Sequence, residues 1–342
     1  MRIGILTSGG DCPGLNAVIR AVVLTGVIER GDEFVGFRNG WRGVVEGDAV
    51  PITRHDVRGL ARQGGTILGS SRTNPYEGER GGPENIQRTL DGLGVDALVA
   101  IGGEGTLTAA RRLTDAGLRI VGVPKTIDND LKATDYSFGF DTAVQIATEA
   151  VDRLRTTAES HGRCMVLEVM GRHVGWIALH AGVAGGAHAI LIPEQPQSVQ
   201  QVAAWAKSVK DRGRAPVLVV SEGFKFDTMT DEHSTRGLDA FNRPRLGGIG
   251  MLVAEGVQEV TGIESRATEL GHLQRGGTPT ANDRVLSTRL GIAAARAVHE
   301  EAWGSMVALR GTGIVQVEIA EATRELNQVP LERYREAEML FG

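Results

Sequence analysis

Acidic side chains and glycines follow two short apolar runs near the middle of the chain. Residues 101–106 read Ile-Gly-Gly-Glu-Gly-Thr, and residues 124–130 read Pro-Lys-Thr-Ile-Asp-Asn-Asp. Glycines let a backbone approach a polyphosphate closely, and the carboxylate of Glu104 is a ligand type that suits Mg²⁺. In an extended segment Asp128 and Asp130 point the same way, so one can accept a proton while the other helps to position a metal ion. Together these residues predict metal-assisted phosphoryl transfer.

A simpler interpretation of the aspartates is that they form only a turn or a helix cap. Asp and Asn are favoured in turns, so the tripeptide at 128–130 would by itself indicate local structure rather than chemistry. The catalytic interpretation gains from Glu104, which is predicted to follow a neighbouring strand.

Cationic side chains lie beside predicted strand ends in the second half of the chain. Scattered arginines are usually on the surface, but several in such loops favour a phosphorylated ligand, because a guanidinium group matches phosphate oxygens. A carboxylate, Glu222, follows another apolar run and offers acceptors to sugar hydroxyls. The cationic candidates are Arg163, Arg172, Arg266, His272 and Arg275.

Parallel strands are the elements that would position these groups. The apolar runs at 97–101 and 120–123 are bounded by Gly and Pro, which predicts buried strands. Open α/β sheets bind ligands at the carboxyl ends of such strands. The chain starts with a predicted strand at 3–6, a glycine-rich loop at 7–14 and a helix. That order suits a phosphate at a helix N-terminus, although a plain strand-to-helix turn fits it equally well.

A second alternation of strands and helices begins after residue 139. It starts with a long amphipathic helix, for which Asp141 or Thr142 is the expected N-cap. The fold class predicted is α/β, with two domains that are each a largely parallel sheet flanked by helices. The polar stretch at 224–248 interrupts the second alternation and predicts a surface insertion or hairpin.

Bulk composition excludes several classes of protein. The 342 residues are 41% hydrophobic, with a net charge of -5, which argues against a nucleic-acid-binding surface. Two scattered cysteines indicate a reducing compartment. The first residues enter a predicted strand at once, so no secretory leader is expected, and no apolar run is long enough to span a membrane. We expect a cytoplasmic enzyme that binds neither nucleic acid nor membranes.

The segments above resemble the 6-phosphofructokinase family in sequence and in order along the chain. Three resembling segments, at 6–11, 102–106 and 124–130, lie in the first half of the chain. Two more, at 168–172 and 271–277, lie in the second half. The resemblance implies a nucleotide or donor-phosphate domain at 1–139 plus 274–323. It implies a sugar-phosphate domain at 140–273 plus 324–342. The reaction implied is transfer of a phosphoryl group to the 1-hydroxyl of fructose 6-phosphate, with Mg²⁺ as cofactor.

The resemblance also implies roles for individual residues. Asp128 matches the base, and Lys125, Thr126, Asp130 and Arg172 complete the expected catalytic set. Glu104 takes the place of the usual metal-binding Asp. Matches to the donor-phosphate positions are Gly10, Arg72, Gly103, Glu104, Gly105 and Thr106. Matches to the sugar-phosphate positions are Thr126, Asp128, Met170, Gly171, Arg172, Glu222, His272 and Arg275. Arg163 and Arg266 match residues that reach the substrate from a neighbouring subunit, which implies a homotetramer or a homodimer.

Two residues bear on the phosphoryl donor. Family members that use pyrophosphate tend to carry Asp where this chain has Gly105, and an Asp there would crowd and repel the α-phosphate of ATP. Lys125 points the other way, because members that use ATP often have Gly at that position. We give Gly105 the greater weight, so the sequence predicts ATP as co-substrate, with pyrophosphate as the alternative.

Two other functions remain open on sequence grounds. The first is a different enzyme with a Gly-Gly-acid-Gly loop, such as an NAD or lipid kinase, and the segment at 271–277 argues against it. The second is a sugar-phosphate sensor without activity, against which the presence of both Glu104 and Asp128 argues.

Overall fold

The computed structural model describes residues 1–231 and 246–342, in which helices and strands alternate. The elements of the first part are β1 (Arg2–Ser8), α1 (Leu15–Arg30), β2 (Glu33–Phe37), α2 (Trp41–Glu46), β3 (Ala49–Ile52), α3 (Pro83–Leu93), β4 (Ala97–Gly102), α4 (Glu104–Asp115) and β5 (Ile120–Pro124). The elements that follow are α5 (Phe140–His161), β6 (Cys164–Val169), α6 (Trp176–Ala184), β7 (Ala189–Leu191), α7 (Val199–Asp211), β8 (Val217–Ser221), α8 (Ile249–Thr261), β9 (Ser265–Glu269), α9 (Ala281–His299), β10 (Ser305–Arg310), β11 (Gly313–Glu318), α10 (Ile319–Thr323) and α11 (Leu331–Glu338). Short 3₁₀ helices occur at Leu60–Arg62 and Gly271–Arg275.

The chain divides into two compact units. Unit 1 consists of Met1–Ile127, Leu131–Asp141 and Arg275–Leu326. Unit 2 consists of Asp128–Asp130, Thr142–Gln274 and Asn327–Gly342. The predicted boundaries, 139, 274 and 323, lie within three residues of these. The prediction placed the tripeptide Asp128–Asp130 in the first domain, whereas it packs with unit 2.

Unit 1 contains a seven-stranded sheet in the order β11-β10-β5-β4-β1-β2-β3. The five strands from β10 to β2 are parallel to one another, while β3 and β11 pair antiparallel at the two edges. Gly102 pairs with Pro124, so β4 and β5 end level with each other. Every residue of β4 is buried, as expected for a parallel strand that is covered on both faces.

Unit 2 contains a four-stranded parallel sheet in the order β7-β8-β6-β9. Val169 pairs with Ser221 and Glu168 pairs with Glu269, so β6, β8 and β9 also end at one level. The two sheets confirm the predicted fold class.

The stretch at 224–248 differs from the predicted surface insertion where it is described. Phe224 and Phe226 are buried in the core of unit 2, with ring centroids 5.3 Å apart in an edge-to-face arrangement. Because polar residues follow these two phenylalanines, the sequence pattern did not predict their burial. Residues 232–245, on which the rest of that prediction falls, lie outside the described residues.

Helix α5 begins earlier than the sequence predicts. Phe140 is its first residue, so Asp141 and Thr142 lie in the first turn and neither is the N-cap. The Oγ1 atom of Thr280 donates to Asp141 Oδ2 at 2.5 Å, which gives this carboxylate a tertiary partner instead. In the described parts of the chain, no helix combines the length and the apolar character needed to cross a bilayer.

Candidate active site

The glycine-rich loop after β1 packs against a second loop in unit 1. The Gly9 N–H donates to the Ser71 carbonyl at 2.9 Å, and Ser8 Oγ donates to the same carbonyl at 3.0 Å. Ser70 Oγ donates back to the Gly9 carbonyl. Arg72, for which the sequence predicts contact with the donor phosphates, directly follows Ser71 and is exposed.

Helix α4 starts immediately after β4 and presents the Gly-Gly-Glu-Gly-Thr sequence at its N-terminus. Gly103 is the N-cap, and Glu104 and Gly105 are exposed in the first turn. A Cβ atom built on Gly105 meets no heavy atom within 4 Å, so the space beside this position is open. Thr106 is buried and packs against Gly102, where it fixes the turn between strand and helix. A helix N-terminus with exposed N–H groups favours an anionic phosphate.

Lys125 is the most buried cation of unit 1 for which a site role is predicted. Its side chain is only 4% exposed, and its ammonium group donates to the Gly10 carbonyl. The Lys125 N–H donates to the Gly102 carbonyl at 2.9 Å, which continues the pairing of β5 with β4. The backbone of Lys125 is thus bound to the end of β4, and its ammonium group is bound to the loop after β1.

Arg275, which the resemblance groups with the sugar-phosphate residues, belongs to unit 1 in the structure. Its guanidinium donates to the Asp11 carbonyl at 3.0 Å and lies against Gly10, where an added Cβ would approach within 2.7 Å. The contacts of Arg275 in this unit are therefore with the donor-side loop.

The carboxylate ligands in this part of the chain suit a magnesium ion that is held mainly by the phosphate oxygens of a substrate. The described residues contain no group of three or more His, Cys, Asp or Glu side chains arranged to hold a metal. Glu104 offers one exposed carboxylate, of which Oε1 accepts a hydrogen bond from Thr108 Oγ1 at 3.0 Å. Mg²⁺ commonly takes one or two carboxylates and completes its shell with phosphate oxygens and water, so a single Glu fits that ion.

The tripeptide Asp128–Asp130 is held within unit 2 by its backbone. Both aspartates are half-buried, and Asn129 between them is 2% exposed with φ of 55°, in the left-handed region. The segment is therefore not extended, in contrast to what the sequence argument for Asp128 and Asp130 assumes. The Asn129 and Asp130 carbonyls each accept a hydrogen bond from Asn327 at 2.9 Å. Thr126, two residues before the tripeptide, belongs to unit 1, and Ser137 Oγ donates to its carbonyl at 2.7 Å.

The loops after β6 and β8 interlock at the carboxyl edge of the second sheet. Ser221 Oγ donates to the Gly171 carbonyl at 2.6 Å, and the Gly223 N–H donates to it at 3.1 Å. Gly171 has φ of 129°, and a Cβ there would meet Ser221 Oγ at 2.5 Å, so only glycine fits. The packing brings Met170, Arg172 and Glu222 to one edge, as the sequence predicts for residues that follow adjacent strands.

Two residues at the end of β9 belong to the same edge. His272 is exposed in the 3₁₀ helix Gly271–Arg275. Gln274 is fully buried, and its Oε1 accepts a hydrogen bond from the Met170 N–H at 3.3 Å. The sequence analysis did not name Gln274 as a candidate site residue. Its position inside the motif at 271–277 is the feature that would have indicated it.

The two arginines expected to serve a neighbouring subunit share one carboxylate in this chain. Arg163 Nε and Arg266 Nη2 lie 2.9 Å and 2.5 Å from the Glu264 side chain. Hydrogen bonding to Arg163, together with the charges of both arginines, lowers the pKa of Glu264. Glu264 therefore keeps both guanidinium groups together at the start of β9.

A family model described as phosphofructokinase matches residues 2–298. The chain belongs to the phosphofructokinase family. It is 61% identical, over the full length of both chains, to a pyrophosphate–fructose 6-phosphate 1-phosphotransferase of Amycolatopsis methanolica. It is 53% identical, again over both full lengths, to ATP-dependent 6-phosphofructokinase 3 of Streptomyces coelicolor. Among solved structures, Pichia pastoris phosphofructokinase in the T-state has a TM-score of 0.83 and 34% identity, covering 94% of this chain and 35% of that one.

Cys12 lies in the glycine-rich loop after β1 but is not suited to nucleophilic chemistry. The thiol is fully buried and donates to the Phe138 carbonyl at 3.7 Å. Burial raises the pKa of Cys12 to about 12, although Lys125 opposes the shift. The thiol is neutral at physiological pH and is therefore a poor nucleophile.

Proposed function

We propose that the protein transfers a phosphoryl group from pyrophosphate to the 1-hydroxyl of fructose 6-phosphate, with Mg²⁺. The observation that carries the choice of donor is Lys125, a buried cation held against the loop after β1. Membership of the phosphofructokinase family supports the reaction, and the name of the relative at 61% identity supports the donor. The sequence-based prediction of ATP is revised on this ground.

Lys125 suits pyrophosphate because that donor has only its phosphate groups to bind. ATP also offers a base and a ribose, whose contacts add binding energy remote from the reacting phosphorus. With pyrophosphate the leaving group is orthophosphate, so both binding and departure depend on charge supplied by the protein and by Mg²⁺. A buried ammonium group interacts more strongly with such an anion than a solvated one does.

In the proposed reaction, Asp128 accepts the proton of the 1-hydroxyl as that oxygen attacks the terminal phosphorus. The bond from this phosphorus to the bridging oxygen breaks, and the bridging oxygen keeps the electron pair and leaves as part of orthophosphate. Mg²⁺, when bound through Glu104, would offset charge on the phosphate oxygens. Lys125 and the N-terminus of α4 bind the donor, and Asp130 helps to position the metal.

On the acceptor side, Arg172 and His272 bind the 6-phosphate, and Glu222 accepts hydrogen bonds from the sugar. Met170, Gly171 and Thr126 line the same substrate. Arg163 and Arg266 reach the substrate of a neighbouring subunit, so the active form in this proposal is a homotetramer or a homodimer. The proposed location is the cytoplasm, and neither nucleic acid nor a membrane takes part.

ATP is the second candidate donor because Gly105 leaves open space in the first turn of α4. A side chain at this position would stand where a third phosphate of a nucleotide extends. The relative at 53% identity, which is named as ATP-dependent, supports this candidate.

A donor comparison tests the proposal. The purified chain is incubated with fructose 6-phosphate and Mg²⁺, and with either pyrophosphate or ATP, and fructose 1,6-bisphosphate is measured. We expect product with pyrophosphate at a kcat/KM at least tenfold above that with ATP. Turnover with ATP alone would refute the choice of donor, and the absence of turnover with both would refute the function.

A further inference from the structure

A short segment at the start of the C-terminal part of unit 2 binds the aspartate tripeptide. Asn327 Nδ2 donates to the Asn129 carbonyl at 2.9 Å, and the Asn327 N–H donates to the Asp130 carbonyl at 2.9 Å. One residue thus binds the carbonyls of two consecutive residues, which lie 198 and 197 positions away along the chain. Asn129 and Asp130 are the two residues directly after Asp128, the base in the proposed function.

The backbone of the tripeptide needs such support. Asn129 has φ of 55°, a left-handed conformation that asparagine adopts more readily than most L-residues and that surrounding contacts hold in place. Asn129 is also 2% exposed, so an unmade hydrogen bond at its carbonyl would not be replaced readily by bulk water. The hydrogen bonds from Asn327 satisfy these carbonyls and restrain the peptide planes on either side of Asp130.

Asn327 is itself anchored to the start of helix α6. Trp176 Nε1 donates to the Asn327 carbonyl at 2.6 Å. Two residues later, the Val329 N–H donates to Glu194 Oε1 at 2.9 Å, and the Gly175 N–H donates to the same oxygen at 3.1 Å. Glu194 therefore joins the Asn327 segment to the residue before Trp176. The support of the tripeptide is part of a packed network, not a mobile tail.

We propose that Asn327 is a positioning residue that sets the orientation of the Asp128 carboxylate through the backbone of Asn129 and Asp130. The proposal rests on the proposed function in so far as Asp128 is the base. The proposed function assigns Asn327 no contact with the donor or the sugar, so its expected effect is on the rate of the chemical step. An error of about 1 Å in the position of a catalytic group lowers a rate about 100-fold, which sets the scale of the effect.

The test compares Asn327→Ala, Asn327→Asp and Trp176→Phe with the wild-type chain. We expect Asn327→Ala to lower kcat about 10- to 100-fold and to change the KM for fructose 6-phosphate and for the donor less than about threefold. Trp176→Phe removes the indole donor and part of the ring while the Asn327 side chain stays, so it should have a smaller effect in the same direction. Asn327→Asp keeps the shape but places a carboxylate against a carbonyl. Its kcat relative to wild type should rise as the pH falls from 8 to 5, because the protonated acid donates again.

A matched control is Asn85→Ala in unit 1. The side chain of Asn85 also donates to a backbone carbonyl, that of Gly81 at 2.8 Å, but it lies at the start of α3 and outside the proposed site. This variant should keep kcat within twofold of wild type. Equal losses of kcat in the Asn85 and Asn327 variants would overturn the positioning role.

A second readout does not need turnover. Deuterium uptake by the peptide that contains residues 128–130 should be at least tenfold faster in Asn327→Ala than in wild type, and unchanged in Asn85→Ala. If the wild-type chain shows no turnover with either donor, the proposed function fails while the exchange measurement still decides the role of Asn327. Unchanged uptake in Asn327→Ala, or kcat within twofold of wild type in an active enzyme, overturns the inference.

Discussion

Replacing Lys125 by Met is expected to reduce the use of pyrophosphate selectively. The side chain is 4% exposed, and its ammonium group donates to the Gly10 carbonyl in the loop that follows β1. Met has nearly the same length and lacks the charge, so the substitution leaves little empty volume. The substitution leaves the Gly10 carbonyl without this donor, which costs about 1–3 kcal/mol, less than the stability of a typical folded domain, so the variant should fold.

The magnitude follows from the loss of one charged hydrogen bond to phosphate. Such a bond contributes about 1.5–3 kcal/mol, and 1.36 kcal/mol corresponds to a factor of ten. We therefore expect kcat/KM for pyrophosphate to fall about 10- to 150-fold in Lys125→Met. The KM for fructose 6-phosphate should change little, because the proposal assigns Lys125 to the donor.

The assay measures initial rates with varied pyrophosphate at saturating fructose 6-phosphate, and then with the two substrates exchanged. Lys207→Met is the control, since Lys207 pairs with Asp211 on the exposed face of α7. The reasoning would be refuted by a Lys125→Met enzyme whose kcat/KM for pyrophosphate lies within twofold of that of Lys207→Met.

Three further predictions concern the base, the donor pocket and the stability of unit 2. Asp128→Ala should lower kcat about 10²- to 10⁴-fold, the range for loss of a general base. Its melting temperature by circular dichroism should be similar to that of the wild type. Near-normal turnover would remove Asp128 from this role. Gly105→Asp should abolish any turnover with ATP and retain turnover with pyrophosphate in donor-specific rate assays. The reason is that the added side chain enters open space and repels a nucleotide α-phosphate. Unchanged turnover with ATP would contradict this prediction. Burial, and then the charges of Arg155, Arg214 and Arg212, lower the pKa of His188 to about 4, and the Val217 N–H donates to its Nδ1 at 3.0 Å. Stability from neutral His188 is therefore present above pH 6.5 and lost as the pH falls towards 4. In urea unfolding, the free energy of unfolding of the wild type should fall by about 1–2 kcal/mol more than that of His188→Gln over this pH range. This value is reduced because the ring is partly solvated. Parallel pH profiles of the two proteins would contradict the prediction.

The sequence predicts the layered fold well because parallel strands that are buried on both faces leave continuous apolar runs. The runs that became β4 and β5 are of this kind, and glycine and proline mark where each one ends. Since ligands bind at the carboxyl ends of such strands, the glycine and proline residues that end the strands also indicate which loops belong to the site.

Contacts between residues distant in sequence were beyond prediction. Nothing near Arg275 indicates that its guanidinium binds the Asp11 carbonyl, 264 positions away. The burial of Phe224 and Phe226 was masked by the polar residues that follow them. The binding of Asn327 to the aspartate tripeptide leaves no local pattern, because one asparagine in a connecting segment is equally typical of a solvated turn.

The most direct test of the central claim is phosphorus NMR of the purified chain with fructose 6-phosphate, Mg²⁺ and pyrophosphate. The account predicts that the pyrophosphate resonance is lost while orthophosphate and a new sugar phosphomonoester appear in equal amounts, and that Asp128→Ala slows both together. Release of orthophosphate without a new sugar phosphate, or no reaction with pyrophosphate under conditions where ATP supports turnover, would contradict it.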